Sequence, residues 1–180
     1  LELYGANQKQ KWLHSRFATV ISRKLRHHVV ERLALRGADE VHVAPMGVDI
    51  ERLQRSKAYR MWSEGEPCRL FSCGRLNAIK GHDDLLLMVA LLRSRGIDAR
   101  LTIAGEDEQG GTGYRRQLEH AIKEAGLAEV VVLLGAVSED DIRAELEEAQ
   151  FFVLASHNEG ISVAIMEAMA MQVPVVATDV

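Results

Sequence analysis

The chain alternates short apolar runs with segments in which apolar residues recur every three or four positions. From residue 69 onward, the apolar runs predict strands at Arg69–Cys73, Ala99–Ala104, Val130–Leu134, Phe151–Ala155 and Pro174–Thr178. The segments between them predict helices at His82–Arg95, Tyr114–Ala125, Ser138–Ala149 and Gly160–Gln172. Near-continuous apolar strands that alternate with helices are typical of a parallel sheet covered on both faces. We therefore predict a doubly wound α/β domain.

A shorter version of this alternation occupies the first 48 residues. Strands are predicted at Phe17–Ile21 and Val41–Ala44, and Ser22 is a suitable N-cap for a helix between them that ends at Gly37. That helix would carry three apolar residues on one face: Leu25, Val29 and Leu33. Residues 46–66 show weaker patterning. We therefore predict that residues 1–48 end one domain, that 49–66 form a linker region, and that 67–180 form a second domain.

Composition and charge narrow the functions that the chain is expected to have. Hydrophobic residues make up 47% of the chain and charged residues 27%, which is typical of a soluble globular protein. The formal net charge is −4, which argues against nucleic acid as the main partner. The apolar runs are too short to span a bilayer, and Cys68 and Cys73 are too few for a metal site or a disulfide framework. We expect a cytoplasmic protein with no bound metal.

Glycine or small polar residues follow four of the predicted strands within two positions. The segments are GRLNAIKG at residues 74–81, GEDEQGGTG at 105–113, GAVSED at 135–140 and SHNEG at 156–160. In open parallel sheets, ligands bind in the crevice at the carboxyl ends of the strands, where small residues let the backbone approach a ligand. We therefore expect a ligand site that is formed by these loops.

Glu167 is the only charged residue between Ile161 and Gln172, a stretch of mostly apolar residues. In a helix it would be buried, and helical side chains lean toward the helix N-terminus, which here faces the crevice. A buried carboxylate needs a partner, and the hydroxyl of a ligand is one candidate. An internal Arg or Lys is the alternative, in which case Glu167 would only stabilise the fold.

Further charged residues are predicted at the same crevice. Glu159 precedes the predicted helix start, where free N–H groups of three residues would form an anion site: Gly160, Ile161 and Ser162. Arg75 and Lys80 lie on the loop after the first strand of the second domain, and together they suit the oxygens of a diphosphate. The alternative for Arg75 and Lys80 is a pair of solvated surface cations. The set as a whole suits a ligand with both hydroxyl and phosphate groups.

The segment GRLNAIKG, followed about eighty residues later by EGISVAIMEAMAMQVPVVATD, resembles the retaining glycosyltransferases of the GT-B fold, of the large family 4 type. The resemblance covers residues 74–180, and the family's E-x7-E pattern corresponds to Glu159 and Glu167. It implies a Rossmann-like donor-binding domain that uses a nucleotide-diphosphate sugar as donor substrate, with no further cofactor and no metal. It also implies a carbohydrate or lipid-linked acceptor.

The resemblance also implies roles for individual residues. Arg75 and Lys80 would bind the donor diphosphate and support its departure, and with Glu159 they form the predicted catalytic set. Glu159 and the three amides that follow it would hold the donor sugar and phosphate. Glu167 would bind the ribose hydroxyls, and backbone groups of the segment Gly135–Val137 would contact the nucleotide base.

Several features leave alternatives open. Residues 1–48 resemble only the end of the family's acceptor-binding domain, and the chain opens on Leu1 rather than Met, so we expect a fragment that is inactive in isolation. The alternatives in function are a nucleotide-sugar binding module without catalysis, a GT-B-fold sugar-nucleotide epimerase, and a plain regulatory domain. His157 lies beside Glu159 and is a candidate ligand contact. The loop Glu106–Gly113 is long enough for a lid, but a flexible surface loop is the preferred interpretation.

Residues 1–36 contain eight Lys and Arg residues against two acidic residues. Acceptor domains of the family that the chain resembles often meet membrane surfaces. The basic segment therefore suggests peripheral contact with the anionic inner face of a membrane. The preferred interpretation is that the apolar face of the predicted helix packs into the acceptor domain and that the charges are solvated.

Overall fold

The computed structural model of the protein describes residues 14–32, 37–107 and 113–180. The chain divides into two compact units, Leu1–Gly47 and Val48–Val180. A two-stranded sheet lies in the first unit and a five-stranded sheet lies in the second. Each sheet has its own hydrophobic core.

The described part of the first unit contains a small parallel sheet and a short helix. The strands are β1 (Ala18–Val20) and β2 (Val41–Val43), and the helix α1 (Arg23–His27) continues into a π-helical turn, His28–Arg32. Ser22 caps α1 as predicted, because its side chain accepts a hydrogen bond from the Leu25 N–H at 3.1 Å. Gly37 precedes a 3₁₀ turn, Ala38–Glu40, that leads into β2. Both predicted strands are confirmed, with shorter bounds.

The predicted apolar face of the first helix is only partly formed. Val29 is buried with Val20 and Val41 in a small core, whereas Leu25 is 39% exposed. The π-helical turn explains the difference, because its wider turn moves residues that are four apart off a common face. Leu33 and the last predicted helical residues before Gly37 lie in the stretch 33–36, outside the described residues.

The second unit is built on a five-stranded parallel sheet. Its strands are β3 (Cys68–Cys73), β4 (Ala99–Ala104), β5 (Val131–Gly135), β6 (Phe151–Leu154) and β7 (Val175–Ala177). Its helices are α2 (His82–Ser94), α3 (Tyr114–Glu124), α4 (Glu139–Glu148) and α5 (Val163–Ala170). The strands lie in the order β5-β4-β3-β6-β7, and each pairing is parallel. Helices α2 and α3 pack on one face, and α4 and α5 pack on the other. The predicted doubly wound α/β fold is confirmed.

Two core layers lie on opposite faces of this sheet. On β3, Leu70 packs in the layer under α2 and α3, whereas its neighbour Phe71 packs in the layer under α4 and α5. Phe71 also meets Phe152 of β6 edge to face, with ring centroids 6.1 Å apart. Successive side chains of a strand point to opposite faces, so a strand that is covered on both faces is apolar at consecutive positions. This is why the strands of the unit appear in the sequence as unbroken apolar runs.

Residues 49–66, predicted as a linker region, lie within the second unit. The Arg55 guanidinium donates to the carbonyl oxygens of Leu146 and Met171 at 3.2 and 3.1 Å, and also to that of Glu147. The Glu147 carboxylate in turn accepts a hydrogen bond from the Ser56 hydroxyl at 2.8 Å. Carbonyls in the last turn of a helix lack partners within the helix, so Arg55 stabilises the end of α4. The domain boundaries remain predictions.

Candidate functional site

The strand order of the sheet reverses between β3 and β6. From β3 the chain proceeds outward through β4 to β5, and then crosses back to β6 on the other side of β3. In doubly wound sheets, the loops on either side of such a reversal diverge and leave a crevice at the carboxyl edge. Two loops flank it here: the β3 loop, residues 74–81, and the β6 loop, residues 155–162. They carry Arg75, Lys80 and Glu159, the predicted catalytic set.

Close backbone contacts fix the β3 loop on two sides. Gly81 has a left-handed φ of 64°, and a Cβ there would lie 1.9 Å from the carbonyl oxygen of Ala155 in the β6 loop. Gly105, which follows β4, has a φ of 148°, and a Cβ there would lie 1.8 Å from the carbonyl oxygen of Gly74. Only glycine fits either position without a shift of the backbone. The loop that carries Arg75 and Lys80 is therefore held by its neighbours.

Lys80 and Glu159 form an ion pair across the crevice. The Lys80 ammonium contacts Oε1 of Glu159, and the two side chains are only 17% and 19% exposed. The Ser156 hydroxyl donates to the same oxygen at 2.9 Å. The structure thus brings together two predicted site residues that are 79 positions apart in sequence. Sequence reasoning does not identify Ser156, and its only signal is a serine three positions before a candidate carboxylate.

Arg75 lies at the start of the β3 loop and is exposed. Its neighbour Leu76 is buried, and the Leu76 N–H donates to the Glu106 carbonyl at 3.0 Å, so the backbone that carries Arg75 is anchored. The two predicted diphosphate-binding cations therefore lie on one fixed loop, with Lys80 shielded and Arg75 accessible. The alternative of a pair of solvated surface cations does not fit Lys80, which is shielded.

Glu167 is half-buried in α5, so the prediction of full burial is wrong. Helix α5 covers the sheet with one side only, and Met169 on the same helix is 64% exposed. Burial raises the pKa of Glu167, and the negative charge of Glu139 adds to the effect. Burial, helped by the charge of Glu167, also raises the pKa of Cys73 at the end of β3 to about 11. The Glu167 carboxylate therefore lies near the carboxyl edge of the sheet.

An internal partner for Glu167 is not found in the described part of the chain. No hydrogen bond or ion pair involves its carboxylate among residues 14–32, 37–107 and 113–180. The alternative that an internal Arg or Lys pairs with Glu167 is therefore not supported by these residues. A ligand hydroxyl remains the candidate partner.

Helix α5 begins later than the sequence predicts. It spans Val163–Ala170 rather than residues 160–172, because Ser162 caps it by accepting a hydrogen bond from the Ile165 N–H at 3.4 Å. Gly160, Ile161 and Ser162 therefore lie in the β6 loop. The predicted helix start is therefore wrong, since the first turn of the helix begins after these residues. The binding of an anion by the N–H groups of the three residues stays a prediction.

The segment Gly135–Val137 follows β5 at the same edge. Gly135 is buried with a φ of 81°, and a Cβ there would lie 3.1 Å from Nη1 of Arg115 and 3.3 Å from Oε2 of Glu106. These two groups form an ion pair at 2.6 Å. Val137 is half-buried against the core layer under α4 and α5. The role of this segment in base binding stays a prediction.

His157 connects the β6 loop to the neighbouring structure. The backbone N–H of His157 donates to the Ile79 carbonyl at 2.8 Å. The ring nitrogen Nε2 of His157 lies 3.4 Å from Oδ2 of Asp84, near the start of α2. The predicted contact of His157 with a ligand is not tested by this arrangement. Most of the loop predicted as a surface segment after β4 lies at residues 108–112, outside the described residues.

Other parts of the second unit offer weaker candidates for a site. A cavity of about 410 Å³ lies at the amino edge of the sheet, and Arg55, Glu147 and Gln150 are among its lining residues. The Arg55 guanidinium donates to the Glu147 carbonyl, and the Gln150 side chain accepts a hydrogen bond from the Arg69 N–H at 2.6 Å, so these polar groups already have partners. In the described ranges, no group of three or more His, Cys, Asp and Glu residues is placed to hold a metal ion. No helix in the part of the chain that the structure describes is long and apolar enough to cross a membrane.

Comparison with known sequences places the chain among glycosyltransferases. The sequence model of the family Glycosyl transferases group 1 matches residues 67–180, more than half of the chain. The amylovoran biosynthesis glycosyltransferase AmsK of Erwinia amylovora is 30% identical over 148 residues. The D-inositol 3-phosphate glycosyltransferase of Pseudarthrobacter chlorophenolicus is 34% identical over 148 residues. Each match covers 79% of this chain and 34% of the relative, so the chain spans about a third of the length of these relatives.

Solved structures share the fold. The Anabaena protein Alr3699/HepE, solved in complex with UDP and glucose, has a TM-score of 0.76 at 19% identity, over 98% of this chain and 49% of that chain. TarM of S. aureus, solved in a complex that includes UDP, has a TM-score of 0.75 at 20% identity, over 99% of this chain and 32% of that chain. At such identities the likeness shows the fold alone. The sequence match over residues 67–180 shows the family, and the chain belongs to the glycosyl transferases group 1.

Proposed function

We propose that the protein transfers a sugar from a nucleotide-diphosphate sugar to a carbohydrate or lipid-linked acceptor, and that the donor's anomeric configuration is retained. This chain would form the donor-binding part. The observation that carries the proposal is the shielded pair of Lys80 and Glu159 at the reversal of strand order. The pair sets a cation suited to phosphate beside a carboxylate suited to hydroxyls, and a sugar phosphate presents both groups.

Two cations supply positive charge for the departure of the diphosphate. When the bond between the anomeric carbon and the diphosphate oxygen breaks, negative charge grows on the leaving group. Arg75 and Lys80 lie on the anchored β3 loop, so their charges are in place before that moment and lower the barrier. Lys80 contacts Glu159, so a bound diphosphate would have to share or replace that contact.

Carboxylates and backbone groups would bind the rest of the donor. Glu159 would accept hydrogen bonds from hydroxyls of the sugar, and Glu167 from hydroxyls of the ribose. A carboxylate whose pKa is raised by burial gains from hydroxyl donors, because they stabilise its charged form. Amides of Gly160 and Ile161 in the β6 loop would contact the phosphate or sugar, and the segment Gly135–Val137 would contact the base.

A nucleotide screen on the full-length protein tests the proposal. UDP, GDP and ADP, each with and without an attached sugar, are titrated by calorimetry, with UDP first because both solved neighbours described above contain it. We expect one diphosphate series to bind, and product analysis by NMR with an acceptor sugar to show retention. Binding without transfer would favour the nucleotide-sugar binding module without catalysis, and conversion of the donor to its epimer would favour an epimerase. The absence of binding to every nucleotide would contradict the proposal.

A further inference from the structure

Ser156 is a buried polar residue and the second residue of the β6 loop. It is 1% exposed, and it is one of four polar or charged residues that are buried among the described residues. Its hydroxyl donates to Oε1 of Glu159 at 2.9 Å. The hydroxyl of a fully buried serine costs free energy unless it is hydrogen-bonded, so this contact fixes the orientation of the Ser156 side chain.

The backbone of Ser156 is held independently of Glu159. The Thr178 hydroxyl donates to the Ser156 carbonyl at 2.5 Å, and the Thr178 N–H donates to the Leu154 carbonyl at 3.1 Å. Thr178 directly follows β7, so the start of the β6 loop is attached to the edge of the sheet. Ser156 therefore acts as a fixed point against which the Glu159 side chain is oriented.

The two oxygens of the Glu159 carboxylate have different surroundings. Oε1 contacts both the Ser156 hydroxyl and the Lys80 ammonium. Oε2 has no hydrogen-bond or ion-pair partner among the residues that the structure describes. A carboxylate accepts up to about four hydrogen bonds, so Oε2 has its full capacity left for a ligand.

We propose that Ser156 is a positioning residue for recognition of the donor sugar. By holding Oε1 it fixes the rotation of the Glu159 carboxylate, so that Oε2 is available to a sugar hydroxyl. This inference rests on the proposed function, because it concerns the sugar of a nucleotide-sugar donor. A local role is the alternative: Ser156 and Glu159 are three positions apart, and their hydrogen bond would then only close a turn of the loop.

The positioning role and the local role of Ser156 predict different effects on the binding of the sugar and of the nucleotide. Ser156→Ala in the full-length protein is compared with Ser72→Ala, because Ser72 is also 1% exposed but lies inside β3. The probes are UDP and the nucleotide sugar that binds most tightly in the screen described above. We expect Ser156→Ala to leave UDP affinity within about twofold and to reduce the additional affinity due to the sugar about tenfold, as for loss of a hydrogen bond that orients a charged group. Ser72→Ala should change neither affinity. An equal loss of affinity for UDP and for the nucleotide sugar would support the local role and overturn the inference.

A double-mutant cycle shows whether Ser156 acts through Glu159. Ser156→Ala is also made in a Glu159→Gln background, where it should cause no further loss of sugar-dependent affinity. The same loss in both backgrounds would overturn the inference. The melting temperatures of the four proteins provide a readout without ligand. If the wild type binds no nucleotide, the proposed function fails, and the temperatures then test only the contact between Ser156 and Glu159. Additive changes in melting temperature would overturn the inference, and a departure from additivity of about 2 °C would support the contact on which it rests.

Discussion

Ion pairs lie at both edges of the five-stranded sheet, but the pairs at the two edges differ in how much solvent they are exposed to. At the amino edge, Arg69 lies 3.0 Å from Glu148, and the side chains are 56% and 54% exposed. At the carboxyl edge, Lys80 and Glu159 are each less than one-fifth exposed. Water and salt screen an exposed pair, so its net contribution to stability is small, whereas a shielded pair has a strong local field. A charged group of a ligand is therefore screened least at the carboxyl edge.

The backbone shows the same contrast. Gly96, in the turn between α2 and β4 toward the amino edge, has a φ of 83°, and a Cβ there would meet nothing within 4 Å. Gly81 at the carboxyl edge also has a positive φ, but a Cβ there would overlap the Ala155 carbonyl. The turn at Gly96 thus has open space around it, whereas the β3 loop at Gly81 lies directly against the β6 loop. Close backbone packing and shielded charge coincide where the candidate site lies.

The largest expected effect tests this difference in backbone packing. Gly81→Ala and Gly96→Ala both place a side chain at a positive φ, which costs about 1 kcal/mol. Gly81→Ala also forces an overlap with backbone, so we expect a total loss of about 3 kcal/mol in the free energy of unfolding. Urea denaturation of both variants measures the difference. Equal losses would mean that the β3 and β6 loops separate easily, and the contrast between the edges would fail.

The next effect tests the difference in charge. Arg75→Ala combined with Lys80→Ala removes two cations from the carboxyl edge, and we expect the affinity for a nucleoside diphosphate to fall at least about 100-fold, as for two hydrogen bonds to charged groups. Binding of the nucleoside without phosphate should be unaffected. Calorimetric titration with UDP, GDP and ADP measures the change.

The matched control for that double variant lies at the amino edge. Arg69→Ala combined with Arg100→Ala removes two exposed cations that pair with Glu148 and Asp98, and it should leave nucleotide affinity unchanged. If the control loses as much affinity as the double variant at the carboxyl edge, net charge rather than a defined site governs binding. The assignment of diphosphate to Arg75 and Lys80 would then be wrong.

A smaller effect separates ligand binding from stability at Glu167. We expect Glu167→Gln to keep the fold and to reduce nucleotide affinity about tenfold, through loss of a charged acceptor for ribose hydroxyls. Glu145→Gln is the control at the amino edge, because burial also raises the pKa of the half-buried Glu145. That variant should not change nucleotide affinity. A large loss of stability with unchanged affinity in Glu167→Gln would instead indicate a purely structural carboxylate.

The same two variants have an expected pH dependence. A carboxyl group whose pKa is raised in the folded state costs no stability at a pH below its ordinary pKa, because it is then protonated in both the folded and the unfolded state. The cost appears as pH rises above that value, and it is complete above the raised pKa. Each Gln variant should therefore gain stability relative to wild type between acidic and neutral pH. Denaturation curves at both pH values measure this gain, and its absence would mean that neither carboxylate is appreciably desolvated.

The smallest expected effect concerns the basic residues of the first unit. Arg23 and Lys24 of α1 are exposed, like the cations at the amino edge of the sheet. Lys9 and Lys11, the basic residues that precede residue 14, lie outside the described residues. We expect equally weak co-sedimentation of the full-length protein with neutral and with anionic vesicles, because exposed charges without a shielded site are mostly solvated. Binding to the anionic vesicles alone would support peripheral membrane contact.

The sequence by itself determined the layered fold and the loops that form the site. The period of apolar residues is a local property, so the five strands and four helices of the second unit could be read from it, as could the cap at Ser22. The carboxyl ends of parallel strands meet at one edge in any sheet of this kind. For that reason, the order of strands and loops along the chain is enough to place Arg75, Lys80 and Glu159 at one edge of the sheet, whereas the pairing of β3 with β6 brings their loops to one crevice.

Only the tertiary structure decided which groups touch and how deeply they are buried. The pair of Lys80 and Glu159 joins residues 79 positions apart, and the hydrogen bond from Ser156 depends on a loop conformation that no periodicity encodes. The burial of Glu167 was overestimated because an apolar helix sequence does not reveal that one side of α5, at Met169, is exposed among the described residues. Burial and pairing depend on neighbours that are distant in sequence, so they are fixed only when the chain packs.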